Sequence, residues 1–217
     1  MWARLGVATT MLIATLSGCA ELRGVIRDPV TRQTELGQQL AQESAGWSVT
    51  DVSVQVPDEL EVSERNVYYP IADIVWREEP LADRKAQVAR IIDEGVTAGL
   101  RHLSGPEPVS FDITLARFHS LTEKARYSIG GVHNIIFDIK ITDQRSGAVL
   151  HDALQIVVEL NAYGGGKAIG SERLGLTQRK RIRAHLMSEM SKLFSGGQSF
   201  ETVPLDVLAL RPLPGGR

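Results

Sequence analysis

Five histidines, one cysteine, a scatter of serines and two glycine clusters are the groups from which this chain could build chemistry. The histidines are His102, His119, His133, His151 and His185. None forms the His-x-x-x-His or His-Glu-x-x-His pair that sets two ligands on one helix face around zinc. The single thiol, Cys19, cannot complete a thiolate cluster, a disulfide or a redox pair within the chain. His119 and His133 flank the segment 120–131 and would face each other across a hairpin. With Ser128 or Glu123 they are the one arrangement that could support acid–base or hydrolytic chemistry. Yet Tyr127-Ser128-Ile129-Gly130 lacks the leading glycine of a nucleophile elbow. Gly130-Gly131 and Gly164-Gly165-Gly166 lack the Gly-Lys-Ser/Thr ending of a phosphate loop, and so read as turns or bulges at strand ends. No catalytic residue, metal site or cofactor is expected on these grounds.

One cationic run stands out, Arg179-Lys180-Arg181-Ile182-Arg183. On a helix, Ile182 turns to the core while Arg179, Lys180 and Arg183 form a candidate basic face for anionic lipid headgroups or an acidic partner. Lys167, Arg173 and Arg126 would extend it; the plainer reading is a solvated face. Over the whole chain 24 Lys and Arg stand against 26 Asp and Glu, a net charge of −2. That balance argues against nucleic acid as a partner, because neutralising phosphates demands excess cations. Apolar residues at 43% and charged residues at 23% are the proportions of a globular domain.

Cys19 gains meaning from what precedes it. Arg4 and the chain amine form a basic start, and the uncharged stretch 5–16 is too short to span a bilayer but fits the core of an export signal. The four residues Leu16-Ser17-Gly18-Cys19 that close it resemble the bacterial lipobox. That resemblance implies diacylglyceryl transfer to the Cys19 thiol, cleavage before it and acylation of the new amine. Two acyl chains are enough for stable membrane attachment. In the lipobox pattern an aspartate after the cysteine retains lipoproteins in the inner membrane; Ala20 favours the outer membrane, facing the periplasm, with the inner membrane as the alternative.

The elements beyond the anchor emerge from periodicity. Residues 19–47 are polar and aperiodic, a lipidated tether in which 35–43 could form a short helix. Val52, Val54 and Val56 alternate as a strand stopped by Pro57, and Ile71, Ile74, Val75 and Trp76 suggest a second, short one. Pro80 opens a helix over 81–103, with Val88, Ile92, Val96, Gly99 and Leu103 as its stripe. Three strands come next: one through Val109, Phe111, Ile113 and Leu115, one over 132–141, and one over 149–160. The hairpin loop 143–147 places Gly147 at a left-handed position. The glycines 164–166 break the third strand, and a last helix over 171–194 carries Ile182, Leu186, Met190 and Leu193. The expected fold is α+β, an antiparallel β-sheet with two helices packed on one face. Its parts would be a signal peptide 1–18, a tether 19–47, a periplasmic domain 48–195 and a flexible tail 196–217.

Three stretches carry a further resemblance. Ala72-Asp73-Ile74-Val75-Trp76-Arg77-Glu78, then Arg117-Phe118-His119-Ser120-Leu121-Thr122-Glu123-Lys124 through Gly130-Gly131-Val132-His133, and Ala162-Tyr163-Gly164-Gly165 are similar to a family of uncharacterised proteobacterial lipoproteins, a domain of unknown function. The similarity spans 47–194 and implies no activity, ligand or catalytic residue. In architecture the chain also resembles, more loosely, auxiliary lipoproteins of envelope transport systems. The reading is a non-enzymatic binding or scaffold lipoprotein of the cell envelope, its partners the membrane and either envelope proteins or anionic lipid. The alternatives are a lipid-anchored hydrolase and a lipid- or glycan-binding domain of a transport system.

Overall fold

The computed structural model describes residues 29–195. Leu16, Ser17, Gly18 and Cys19 lie outside them, as does the segment 196–217. The chain divides into two compact units, Met1–Glu35 and Leu36–Arg217. Element order is α1 (Pro29–Glu43), a single 3₁₀ turn (Ser44–Gly46), β1 (Trp47–Gln55), β2 (Ile74–Val75), α2 (Arg84–Leu100), β3 (Glu107–His119), α3 (Glu123–Arg126), β4 (Gly131–Asp143), β5 (Val149–Ala162), α4 (Gly165–Arg173) and α5 (Gln178–Phe194). No helix of the described residues is long and apolar enough to cross a membrane.

The result is a mixed α+β fold around a five-stranded sheet ordered β1-β3-β4-β5, with β2 beside the end of β3. The long β3–β4 and β4–β5 ladders are antiparallel, setting Phe111 opposite Ile141 and Phe137 opposite Ile156. The sheet departs from the wholly antiparallel expectation at β1 and β2, which both run parallel to β3. The cause is topological. A helix lies between β1 and β3, and a helical crossover returns the chain to the same end of the sheet, so the two strands run in the same direction.

The strands' inward rows meet the helices in one apolar cluster. Val109, Phe111, Ile113, Leu115 and Phe118 of β3 and Ile135, Phe137, Ile139 and Ile141 of β4 are buried there with Val88, Ile92 and Val96 of α2 and Ile182, Leu186 and Met190 of α5. On β5 the corresponding Leu154, Ile156 and Leu160 are only partly covered. Helices α2 and α5 approach closely because glycine lines the contact. A Cβ at Gly95 would lie 2.7 Å from Leu186 Cβ, and one at Gly99 would lie 2.7 Å from the Met187 carbonyl oxygen.

Packing also begins earlier in the chain than the expected tether boundary at 47. Leu40, Ser44 and Trp47 are buried, and the Ser44 hydroxyl donates to the Phe194 carbonyl at 3.0 Å. The last helix starts later than its periodicity suggests, and glycine is the reason: Gly175 at φ +73° separates a preceding helix, α4, from α5, which ends at Phe194 as expected. The hairpin at 143–147 matches expectation: Gly147 has φ +73°, and Asp143 Oδ1 accepts the amides of Arg145 and Ser146.

Candidate functional site

Three segments distant in sequence converge beside β2. The loop after β2 carries Trp76, Arg77, Glu78 and Glu79; α3 supplies Glu123 and Arg126; α5 begins with Gln178 and Arg179. Helix geometry explains why a carboxylate is wanted there. The first amides of any α-helix have no partner within the helix and attract negative charge. Glu78 accepts the backbone amides of Gln178 at 2.7 Å and Arg179 at 2.6 Å, and Thr177 Oγ1 takes the Lys180 amide. Burial pushes the Glu78 carboxyl upward, a tendency opposed by those two amides and by Arg126. Arg126 lies 3.5 Å from Glu78 and 3.3 Å from Glu172.

Around this centre the charges interleave. Arg77 bonds Glu123 at 2.6 Å and Glu64 at 2.9 Å, and it also donates to the Glu64 carbonyl. Arg84 joins Glu64 at 2.7 Å and Gln87 at 2.7 Å. Hydrogen bonding from Arg84 holds Glu64 below the usual carboxylate range; at Glu123 burial raises the carboxyl, but the bond from Arg77 and nearby arginines bring it lower. Glu64, Arg77, Glu78, Glu79, Pro80, Leu81, Arg84, Glu123 and Arg126 line an open cleft of about 580 Å³. Beside it the loop before β2 presents Tyr69 and Ile71 to solvent, and Leu81 of the lining, in the loop after β2, is exposed as well. That loop is tied down where Thr122 Oγ1 donates to the Val67 carbonyl and Asn66 Oδ1 accepts the Lys124 amide. Lys124 Nζ stands 4.6 Å from the centre of the Tyr68 ring.

Behind the cleft runs a buried polar chain. His133 Nδ1 lies 3.0 Å from Ser120 Oγ, which donates to Gln178 Oε1 at 3.3 Å. Since the hydroxyl proton goes to Gln178, the imidazole donates from Nδ1, leaving the buried Nε2 without a partner. Burial, then the positive charges of Arg181, Arg126 and His185, push the ring down to about 3.

The structure does not bring the hydrolytic candidates together. His133 faces the core, and His119, next to the inward Phe118, belongs to the other face of the sheet. His119 Nε2 lies 2.6 Å from the Ala72 carbonyl oxygen, and burial lowers its pKa. Ser128 Oγ donates to the Lys124 carbonyl, while Glu123 is held by Arg77. The basic face is also partly engaged. Arg179 bonds Glu79 and Glu94, each at 2.7 Å, and Arg183 lies 3.6 Å from Glu94, leaving Lys180 as its exposed cation. Among the described residues, no group of three or more His, Cys, Asp or Glu is disposed to hold a metal ion.

Sequence reasoning missed the residues that build the cleft. Arg84 reads as an ordinary cation after the N-cap Asp83, yet it is 6% exposed. The available signal was the cluster Arg77-Glu78-Glu79 directly after an apolar strand, where alternating charges have no helix face to occupy.

The region that supplies all three converging segments is also the region with relatives. Residues 47–209 match the pattern of a family of unknown function, DUF6778. The chain belongs to that family. The match runs past Ser195 into the segment expected to be a flexible tail. No curated protein matches the DUF6778 chain. Among solved structures, one similar chain is the crystal structure of an uncharacterized protein, 14% identical, covering 69% of this chain and 90% of that one at a TM-score of 0.36. Another is the crystal structure of "a putative lipoprotein from Caulobacter crescentus CB15", 10% identical, covering 81% of this chain and 99% of that one at a TM-score of 0.28. At these scores neither likeness bears on fold or function.

Proposed function

We propose that this DUF6778 protein is a lipoprotein anchored through Cys19 in the outer membrane, with its α+β domain in the periplasm serving as a non-enzymatic binding or scaffold component. In this reading α2 and α5 cover one face of the sheet, and a partner docks at the arginine–glutamate cleft and the loop beside it. The observation that carries the docking surface is the exposure of Ile71 at 96%, Tyr69 at 82% and Leu81 at 76% beside the cleft. We take large apolar side chains left in water on the loops around one cleft as a surface that a partner covers. Arginines and tyrosines beside them supply the residue types that dominate binding energy at interfaces. The arginines of the cleft are already paired, which suits a surface that presents a fixed charge pattern better than one that moves protons.

The test is photocrosslinking in membranes from positions 69, 71 and 81 of the full chain. A discrete protein adduct from these positions, absent from a probe at exposed Lys140, is the expected outcome. Equal labelling from all four positions, or none, would refute the docking surface. The anchor is tested separately: Cys19→Ser should abolish acyl labelling and leave the precursor uncleaved. Normal processing and membrane retention of that variant would defeat the lipobox reading.

A further inference from the structure

We infer that a small pocket between α3, α4 and α5 binds one internal water molecule, which accepts from Arg126 Nε and Gln178 Nε2 and donates to Glu172 Oε1. This hydration site is independent of the proposed docking surface and of the anchor.

The short α4 has little apolar surface with which to hold its place. Ala168 is the side chain it buries, while Ile169 and the C-cap Leu174 stay exposed. Polar contacts fix its last turn instead. Tyr127 Oη donates to Glu172 Oε2 at 3.2 Å, and Arg126 Nε stands 3.3 Å from Glu172 Oε1. That second approach is close enough for ionic attraction but is not aligned as a hydrogen bond. Arg126 Nε and Glu172 Oε1 are therefore buried with no hydrogen-bond partner among the described residues. The other guanidinium nitrogens of Arg126 are engaged, by Glu78 and by the Tyr127 hydroxyl. Gln178 supplies a third such atom: its Oε1 accepts from Ser120, and its Nε2 is buried with no acceptor.

All three atoms belong to residues that line the same pocket, with Tyr163, Ala168 and Arg181 also in its wall. Buried polar groups of native proteins are nearly always satisfied, by protein atoms or by ordered water. The pocket offers about 10 Å³ to the centre of a water-sized sphere. That is about the space one water needs, and too little for a larger molecule. The mixture of donors and acceptor then selects the occupant. A cation would face the N–H groups of Arg126 and Gln178, and an anion would face the Glu172 carboxylate. Water both accepts and donates, so it satisfies all three atoms at once. Three polar partners are also the number typical of an internal water. Its bonds join the last turn of α4 and the first turn of α5 to the arginine of α3.

Water ¹⁷O magnetic relaxation dispersion on the full chain tests the inference, because only waters held longer than the protein takes to tumble contribute to the dispersion. Ala168→Val pushes methyl groups into the pocket and should lower the amplitude by one long-lived water. Ala153→Val, at an exposed position of β5, should leave the amplitude unchanged. Wild-type amplitude in folded Ala168→Val would overturn the inference, as would an equal fall in both variants or a wild type with no long-lived water. Should Ala168→Val fail to fold, Gln178→Met takes its place, since it keeps the length of the side chain and removes the amide. The same loss of one water supports the site, and an unchanged amplitude refutes it.

Discussion

Replacing His133 with Gln should make stability fall less between pH 7 and pH 5 than it does in the wild type. The ring sits 1% exposed, donates from Nδ1 to Ser120, and has no partner for a proton on Nε2. Its pKa falls from 6.5 in the unfolded chain to about 3 in the folded one. Above pH 6.5 the imidazole is neutral in both states and its contribution to stability is complete. As pH falls below 6.5 the unfolded chain binds a proton that the folded chain refuses, so stability is lost progressively towards pH 3. Each pH unit in that window is worth about 1.4 kcal/mol, which gives a loss of about 2 kcal/mol by pH 5. With a typical urea dependence of about 2 kcal/mol per molar, the unfolding midpoint should fall by about 1 M. Urea titrations followed by tryptophan fluorescence at pH 7 and pH 5 measure this for both proteins. His119, also pushed down by burial, contributes to wild type and His133→Gln alike and cancels in the difference. If the two midpoints fall by the same amount between pH 7 and pH 5, the reasoning from the buried neutral ring is wrong.

Gly99→Ala should destabilise the domain by about 2 kcal/mol in thermal or urea unfolding, because its methyl would meet the Met187 carbonyl and Met190 Cβ at 2.7 Å. Glu78→Ala should cost about 3–5 kcal/mol, since it strips a buried partner from Arg126 and the acceptor from two helix amides; Glu78→Gln, which keeps an oxygen, should cost less by the same measurement. Arg179→Glu sets like charges against Glu79 and Glu94 and should lower the urea midpoint clearly, whereas Lys180→Glu should stay within about 0.5 kcal/mol of wild type.

Elements with a strong period were legible from residues alone. The alternation in β3 and β4 and the stripes Val88-Ile92-Val96 and Ile182-Leu186-Met190 all face the core as read. Strand direction was not legible, because Val52, Val54 and Val56 alternate identically whether β1 runs with β3 or against it; only the intervening helix decides. The glycines were read as breaks, but their meaning depends on each other. A Cβ at Gly164 would lie 2.2 Å from the Gly130 amide nitrogen, so the two clusters are one backbone contact between α3–β4 and β5–α4. No local pattern encodes such a meeting. The cleft was hidden for a related reason: Glu78, Glu123 and Arg179 acquire their roles from partners 46 or more positions away.

The cap on α5 bears on the order in which the molecule can assemble. The carboxylate that completes the first turn of this helix comes from 100 residues earlier in the chain. A 17-residue helix is marginal alone in water, and this one starts with three consecutive cations, Arg179, Lys180 and Arg181, where the peptide dipoles favour negative charge. Thr177 caps the Lys180 amide locally, but the Gln178 and Arg179 amides gain their carboxylate acceptor only once the loop after β2 has docked. Completion of the α5 cap is tied to closure of a loop of 100 residues, so the N-terminal turn of the helix should form late, after the folding transition state, and variants at Glu78 should accelerate unfolding far more than they slow folding.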